Sequence, residues 1–256
     1  LSVQTTHNFP CFLPLSNRQY AVQHEEDESL SLLYRKMKAY AIGHGCSVKW
    51  EERDDRCVEI HTEIIPLHEV QSIVPAHFDD LTISMRQLVN SESDRTQLNV
   101  LQSLCNKYEA WIDLQSHRAY TEVLDEERPI AERHIILCRK ALDRMQKGLK
   151  ILQQDDQCLR AFCLMNEAML LQQLRYNLPL RTWKIEQGIE KIGTPSKEID
   201  INDETTWPGY SEVNKKTKYG IWRPFQIAFI IMNINAFFDS SGNERKIADL
   251  IWFPTG

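Results

Sequence analysis

Leu159-Arg160-Ala161-Phe162-Cys163-Leu164-Met165-Asn166-Glu167-Ala168-Met169-Leu170-Leu171-Gln172-Gln173-Leu174 is the stretch that decides the fold class. Leu159, Phe162-Cys163, Met165, Met169-Leu170 and Leu174 recur at steps of three and four residues, which places them on one face of an α-helix. The same step runs through Ile135, Ile136, Cys138, Leu142, Met145, Leu149 and Leu152. It also runs through Leu98, Leu101, Leu104, Cys105, Tyr108 and Trp111-Ile112. Gly and Pro are scarce from Leu81 to Tyr176, and Gln154-Asp155-Asp156 divides the last two helices. Successive amphipathic helices of this length predict an antiparallel helical bundle over 81–178.

Toward the N-terminus the pattern changes. Pro10 and Pro14 predict an irregular start, with a short extended piece around Cys11-Phe12-Leu13. Glu25-Glu26-Asp27-Glu28 precedes Leu30, Leu32, Leu33, Met37 and Tyr40, and acidic residues in a first turn suit the positive end of a helix. That helix is expected to end at Gly43. Val58, Ile60, Thr62 and Ile64 then alternate with more polar neighbours, the period of a strand. With Ser47 to Glu51 across the turn Arg53-Asp54-Asp55-Arg56 they predict a hairpin, its second strand running on toward Val70. Residues 1–80 thus read as a helix plus β-hairpin module.

Toward the C-terminus, residues 179–220 carry Pro179, Gly188, Gly193, Pro195, Pro208, Gly209 and Gly220. They predict a long irregular connection, with a short helix at Trp183 to Lys191. Pro224 to Phe238 predicts an apolar helix with proline at its first position. After the turn Asp239 to Asn243, Ile247 to Phe253 reads as a buried strand and Pro254-Thr255-Gly256 as the opening of a phosphate-binding turn. The fold class expected is mainly α with a small β element (α+β). The bundle is expected to lead into the first strand of a nucleotide-binding α/β lobe over 221–256.

The 256 residues are enough for one large domain or two small ones. Apolar residues make up 42% and charged residues 26%, as in an ordinary soluble globular chain. A net charge of -6 excludes a surface that binds nucleic acid everywhere, while leaving room for a local basic groove. The seven cysteines show no CxxC pair or regular spacing and read as reduced cytoplasmic thiols. No secretory leader opens the sequence, and Phe225 to Phe238 is too short to span a membrane. The first residue is Leu1 and the last three stop short of a P-loop lysine, so the expectation is a segment of a larger protein.

The strongest chemical constellation joins two stretches. Trp222-Arg223-Pro224-Phe225-Gln226 stands one helix ahead of the strand that leads to Pro254-Thr255-Gly256. A glutamine can pair with the donor and acceptor edge of adenine, and an aromatic neighbour can stack on the ring. Trp222, Arg223, Gln226, Pro254, Thr255 and Gly256 are therefore the candidate nucleotide-binding residues. Taken alone, Trp222 and Phe225 read equally as core anchors. Lys215, Lys216 and Lys218, near Tyr210 and Tyr219, are candidate contacts to a single strand, where charges follow the backbone and rings stack on bases. A solvated linker is the competing reading. Arg139, Lys140, Arg144, Lys147 and Lys150 form a second basic stripe, read as an ordinary exposed face.

Gly43-His44-Gly45-Cys46 offers a cysteine–histidine pair or, with Cys57 and His61, a zinc set. The tight ligand spacing of a zinc site is absent, so no metal site is assigned. His44 and Cys46 are expected to be buried beside a sharp turn. Asn166, amid Leu164, Met165 and Met169, either anchors the bundle against the following lobe or sits on a solvated face.

Three segments together resemble the DrmA helicases of the DISARM anti-phage system, within superfamily-two helicases. The first is Tyr40-Ala41-Ile42-Gly43-His44-Gly45-Cys46 followed by Trp50-Glu51. The second is Ala161 to Met169 with Gln172. The third is Trp222 to Gln226 through Asp249 to Gly256. The third alone is common to many helicases, and the first two narrow the match. The resemblance implies a large ATPase with two RecA-like lobes, using ATP and Mg²⁺. It implies action with a DrmB-type partner on DNA with a single-stranded portion, with this N-terminal region packed against the motor. The Walker lysine, the acidic Mg²⁺ box and the arginine finger would all follow Gly256, so residues 1–256 alone are expected to be inactive. A different class also fits an acidic helical chain: a non-catalytic protein-interaction scaffold.

Overall fold

The computed structural model describes residues 2–4, 12–15, 25–54, 56–64, 78–89, 95–176, 178, 183–192, 199–213 and 219–250. Its contacts group into two units. One holds the described residues before 74 together with Ser116–His134, and the other holds 78–115 and 135–250. The architecture is mainly helical with small antiparallel sheets, as the sequence predicts.

In the first unit, strands β1 (Ser2–Gln4), β2 (Ser47–Arg53) and β3 (Arg56–Glu63) form one antiparallel sheet in the order β1-β3-β2. The hairpin lies where alternation placed it, with Trp50 opposite Ile60 and a register shift between Glu51 and Glu52. β1 was not anticipated, because three residues show no alternation to read. Helix α1 (Glu25–Leu33) is shorter than expected and ends ten residues before Gly43. Leu32 is its single buried residue, while Leu30 and Leu33 are exposed, so little burial supports further turns. Leu32, Ala119, Val123 and Ala131 form a small core. Tyr40 is buried and meets the Trp50 ring edge-on at 6.0 Å between centroids.

The second unit is built on α3 (Asn99–Thr121), α4 (Arg128–Gln154), α5 (Asp156–Tyr176) and α6 (Pro224–Phe238), the first two in part. The periodic residues of the sequence are its core: Leu101, Leu104, Cys105 and Ile112 from α3, Leu142, Met145, Leu149 and Leu152 from α4. Leu159, Phe162, Cys163, Leu170 and Leu174 of α5 and Ile227, Ile231 and Ile234 of α6 belong to it, as do Ile83, Met85, Leu88, Leu98, Trp207 and Trp222. Asp155 alone separates α4 from α5, and its carboxylate accepts the Cys158 amide at 2.7 Å, an N-cap for the new helix. Gly148 lets α4 and α6 touch backbone to backbone, since a Cβ there would lie 1.9 Å from the Ile231 carbonyl oxygen.

Residues 78–89 are not simply a further helix of the bundle. Strand β4 (Ile83–Ser84) leads directly into the short helix α2 (Met85–Val89), and β4 pairs with β7 (Ile221–Trp222). The connection before α6 also departs from expectation. Trp183 to Lys191 does not form a helix: β5 (Trp183–Glu186) and β6 (Ile189–Ile192) make a hairpin. Gln187 and Gly188, both at positive φ (54° and 77°), supply the two-residue turn that matches strand twist. Farther on, Ile199, Ile201 and the buried Trp207 pack on the main core, so this part of the connection is fixed. Asp200 accepts the Trp207 indole N–H through its carbonyl at 2.8 Å.

The strand expected over Ile247 to Phe253 is absent from its described part. Residues 247–250 have no ladder partner among the described residues, and a strand exists only through such pairing. A 3₁₀ turn (Asn243–Lys246) precedes them, and they are held by side chains instead. Residues 251–253 lie outside the described part.

Candidate nucleotide-binding segment and its anchorage

One face of α5 receives the chain that enters α6. Asn166, Leu170 and Gln173 step by four and three residues along that face. Asn166 is fully buried (0% exposed) and bonded at both polar atoms: its amide nitrogen donates to the Phe162 carbonyl at 2.8 Å, and its oxygen accepts the Trp222 indole N–H at 2.7 Å. The Gln173 side-chain oxygen accepts the Gly220 amide at 3.0 Å. Gly220 has φ of 74°, and a Cβ there would lie 2.7 Å from a Leu170 methyl, so both conformation and space demand glycine. The Gly220 carbonyl in turn accepts the Met85 amide at 2.7 Å, which continues the β4–β7 pairing.

This settles the two readings of Asn166 toward anchorage, by a hydrogen bond to the segment after the connection. The polar partner farther along the helix is Gln173, while Gln172 is exposed. Periodicity alone did not single out Gln173, although its seven-residue spacing from Asn166 was visible.

Trp222 is buried, with its only polar atom committed to Asn166. Arg223 is exposed and extended (φ -71°, ψ 139°), the conformation required just before Pro224 at the first helical position. Gln226 is exposed in the first turn, and its side-chain oxygen accepts the Arg223 amide at 3.3 Å. This satisfies one orphan N–H of the helix start. The amide oxygen has a second lone pair, and its NH₂ group donates to none of the described residues. The group therefore presents one acceptor and two donors to solvent, the complement of a purine edge.

Downstream of α6 a second anchorage holds the chain. Arg144 of α4 forms a two-pronged ion pair with Asp249, with both N···O distances 2.8 Å. The guanidinium also donates to the Asn233 side-chain oxygen of α6 at 3.1 Å. Asn233 is itself fixed by donating to the Phe229 carbonyl at 2.8 Å. The Arg144 side chain is 13% exposed and that of Asp249 22%. The hydrogen-bonded guanidinium holds the Asp249 carboxyl below the usual carboxylate range, and the carboxylate raises Arg144 in return. Beside them Lys147 pairs with Asp143 at 2.8 Å and reaches Glu244 at 3.6 Å. Arg139 pairs with Asp113 at 2.9 Å. Arg139, Lys140, Lys147 and Lys150 are exposed, as the stripe was read, and Arg144 alone is drawn into a partly buried pair.

Other candidates separate. Lys215, Lys216 and Lys218, and Pro254, Thr255 and Gly256, lie outside the described residues. His44 and Cys46 are exposed rather than buried, because the Gly43 to Cys46 turn projects them outward. Cys57 is buried on β3, and His61 on the same strand approaches Glu63 at 3.4 Å and Glu59 at 3.9 Å. Among the described residues no helix is long and apolar enough to cross a membrane.

No protein-family model matches the chain. The chain is similar to the DISARM protein DrmA of Bacillus paralicheniformis, with 29% identity over 245 residues. The match covers 91% of this chain but 19% of that protein, so the chain spans about a fifth of the length of the curated relative it matches. The DrmA likeness read from three short segments therefore extends over nearly the whole chain.

Proposed function

We propose that this chain is the N-terminal part of an ATP-dependent DNA helicase or translocase that acts in DISARM anti-phage defence. The similarity to DrmA over 91% of the chain carries this reading. In the intact protein ATP and Mg²⁺ are the cofactors. Gln226 reads the adenine edge, and Pro254, Thr255 and Gly256 contribute to binding the phosphates. Trp222 sets where that reading group stands: its indole is held by Asn166, and Gln226 follows four residues later in the first turn of α6. Arg223, exposed next to the same helix start, supplies positive charge toward the nucleotide. Lys215, Lys216 and Lys218 are proposed contacts to the backbone of single-stranded DNA. The system supplies further subunits, a DrmB-type protein among them, and the setting is cytoplasmic.

The test is an ATPase assay on the intact protein with and without single-stranded DNA, paired with a phage plaque assay in cells carrying the whole defence system. DNA-stimulated hydrolysis, and loss of protection on Gln226→Ala, are expected. An intact protein that neither binds nor hydrolyses ATP, yet still protects through its partners, would leave the interaction scaffold as the function.

A further inference from the structure

We infer that α1 is a docking helix for a partner protein. It presents Leu30, Leu33, Tyr34 and Met37 to an apolar groove whose end over Glu26 and Asp27 is lined by lysine or arginine. The observation behind this is an inverted helix. A surface helix ordinarily turns its apolar stripe to the core. α1 gives the core one side chain, Leu32, which joins Ala119, Val123 and Ala131. Leu30, Leu33, Tyr34 and Met37 lie at steps of three and four residues and are between 47% and 65% exposed. The winding carries on past Leu33: the Tyr34 amide donates to the Leu30 carbonyl at 2.9 Å and the Met37 amide to the Tyr34 carbonyl at 2.8 Å. The stripe is therefore continuous, with the i, i+3, i+4, i+7 spacing of helices that bind in grooves.

The fold holds this stripe outward. Arg133 pairs with Glu25 at 3.0 Å and donates to the Ser29 hydroxyl at 3.2 Å, and His134 Nε2 lies 3.0 Å from the same hydroxyl. Farther along, Arg35 reaches Glu122 at 3.8 Å. Glu25, Ser29, Leu32 and Arg35 step by four, three and three residues, so they share the other face of the helix. Rolling the stripe inward would break all of these contacts. Charge then selects the partner. Glu26 and Asp27 precede Leu30 by four and three residues, so they head the stripe, and neither pairs with a described residue. An anionic end repels nucleic acid and anionic lipid and attracts a basic protein surface. The stripe itself carries no cation, Arg35 being turned to Glu122, so a second copy would offer the acids no counter-charge. The occupant that fits is a different protein, with apolar pockets for the four side chains and cations beside the first turn.

The experiment uses the intact protein in cells carrying the whole defence system. A photoreactive benzoylphenylalanine replaces Leu30, Leu33 or Met37 in turn, or Glu28 as a control that is exposed but lies off the stripe. Adducts are mapped by peptide mass spectrometry. The three stripe positions should all join to one other protein, in a segment that carries lysine or arginine, and Glu28 should not. With the label at Leu33, Glu26→Lys combined with Asp27→Lys should lower the yield on the order of tenfold, because like charges then face each other. Lysines at a helix start also weaken the helix itself. Met37→Ser, which keeps both acids, must therefore lower the yield as well. Adducts to a second copy, to another part of the same chain, to lipid or to DNA would overturn the inference. So would yields from the stripe no higher than from Glu28, or a yield that either substitution leaves unchanged.

Discussion

The Trp222 indole N–H donates to the Asn166 side-chain oxygen at 2.7 Å, with both residues buried. The pair joins α5 to the strand that opens α6. Asn166 makes two good hydrogen bonds with its side chain fully buried, so each partner is costly to remove alone. Asn166→Leu should destabilise the chain by about 1–3 kcal/mol, because it leaves the indole N–H without an acceptor. Trp222→Phe should add less in an Asn166→Leu background than in wild type. Denaturant unfolding of the four proteins measures the coupling, and strict additivity would show that the bond does not contribute.

Gly148→Ala tests the contact between α4 and α6. At an exposed helix position this change would stabilise by about 1 kcal/mol. Here the new Cβ would lie 1.9 Å from the Ile231 carbonyl oxygen, a backbone atom with no cheap way to move. Overpacking of this kind costs about 1–3 kcal/mol and outweighs the gain in propensity. A lowered melting temperature is expected, and a raised one would mean that the helices stand farther apart.

Gln226→Glu separates the two tasks of that side chain. A carboxylate still accepts the Arg223 amide, so the start of α6 keeps its cap and the stability is preserved. It has no NH₂ group, so it cannot donate to a purine. The KM of the intact protein for ATP should rise with the melting temperature unchanged. An unaltered KM would remove Gln226 from the adenine site.

Acid should release the clamp at Asp249. Its carboxyl is held below the usual value by hydrogen bonding to Arg144 and by that residue's charge. A depressed folded-state value contributes stability above the ordinary Asp value of about 3.9, and that contribution is lost as the pH falls through the lower folded value. The groups facing the pair are Asn233, which does not titrate, and Glu244, whose charge also favours the Arg144 cation. Protection from hydrogen exchange at 243–250, relative to the unfolded rate at each pH, should therefore hold through pH 5 and fall in stronger acid. In Asp249→Asn the protection should be low at every pH. Protection identical in the two proteins would show that the ion pair does not hold the segment.

Thiol labelling reads burial directly. Cys46 is exposed, while Cys57, Cys105 and Cys163 are buried. Desolvation, with Glu109 nearby, pushes the Cys105 thiol up to about 11, which leaves almost no thiolate at pH 8. Peptide mapping after brief alkylation at pH 8 should find Cys46 modified and Cys105 intact until denaturant is added. Early modification of Cys105 would mean that α3 is not packed as described.

The helical periods were legible because an amphipathic helix writes its buried face at every third and fourth residue. Leu98 to Ile112, Ile135 to Leu152 and Leu159 to Leu174 were read in this way, and most of the residues singled out there lie in or against the core, although Trp111 and Ile136 are exposed. The β2–β3 hairpin was legible for the corresponding reason at period two. Short features were not. β1 and β4 have three and two residues, and Gln187-Gly188 lacks the asparagine or aspartate that usually marks such a turn. The reading of Arg144 as an exposed cation failed because its partner lies 105 residues away in sequence.

Sequence alone determined the mainly helical class, the core faces and the DrmA likeness, since each is encoded in local spacing or in residue order. Tertiary structure decided which polar residues are structural. Asn166, Gln173 and Arg144 look like any surface amide or cation until the chain returns. Only then do their hydrogen bonds form: fully buried between Asn166 and Trp222, partly buried between Gln173 and Gly220, and nearer the surface between Arg144 and Asp249.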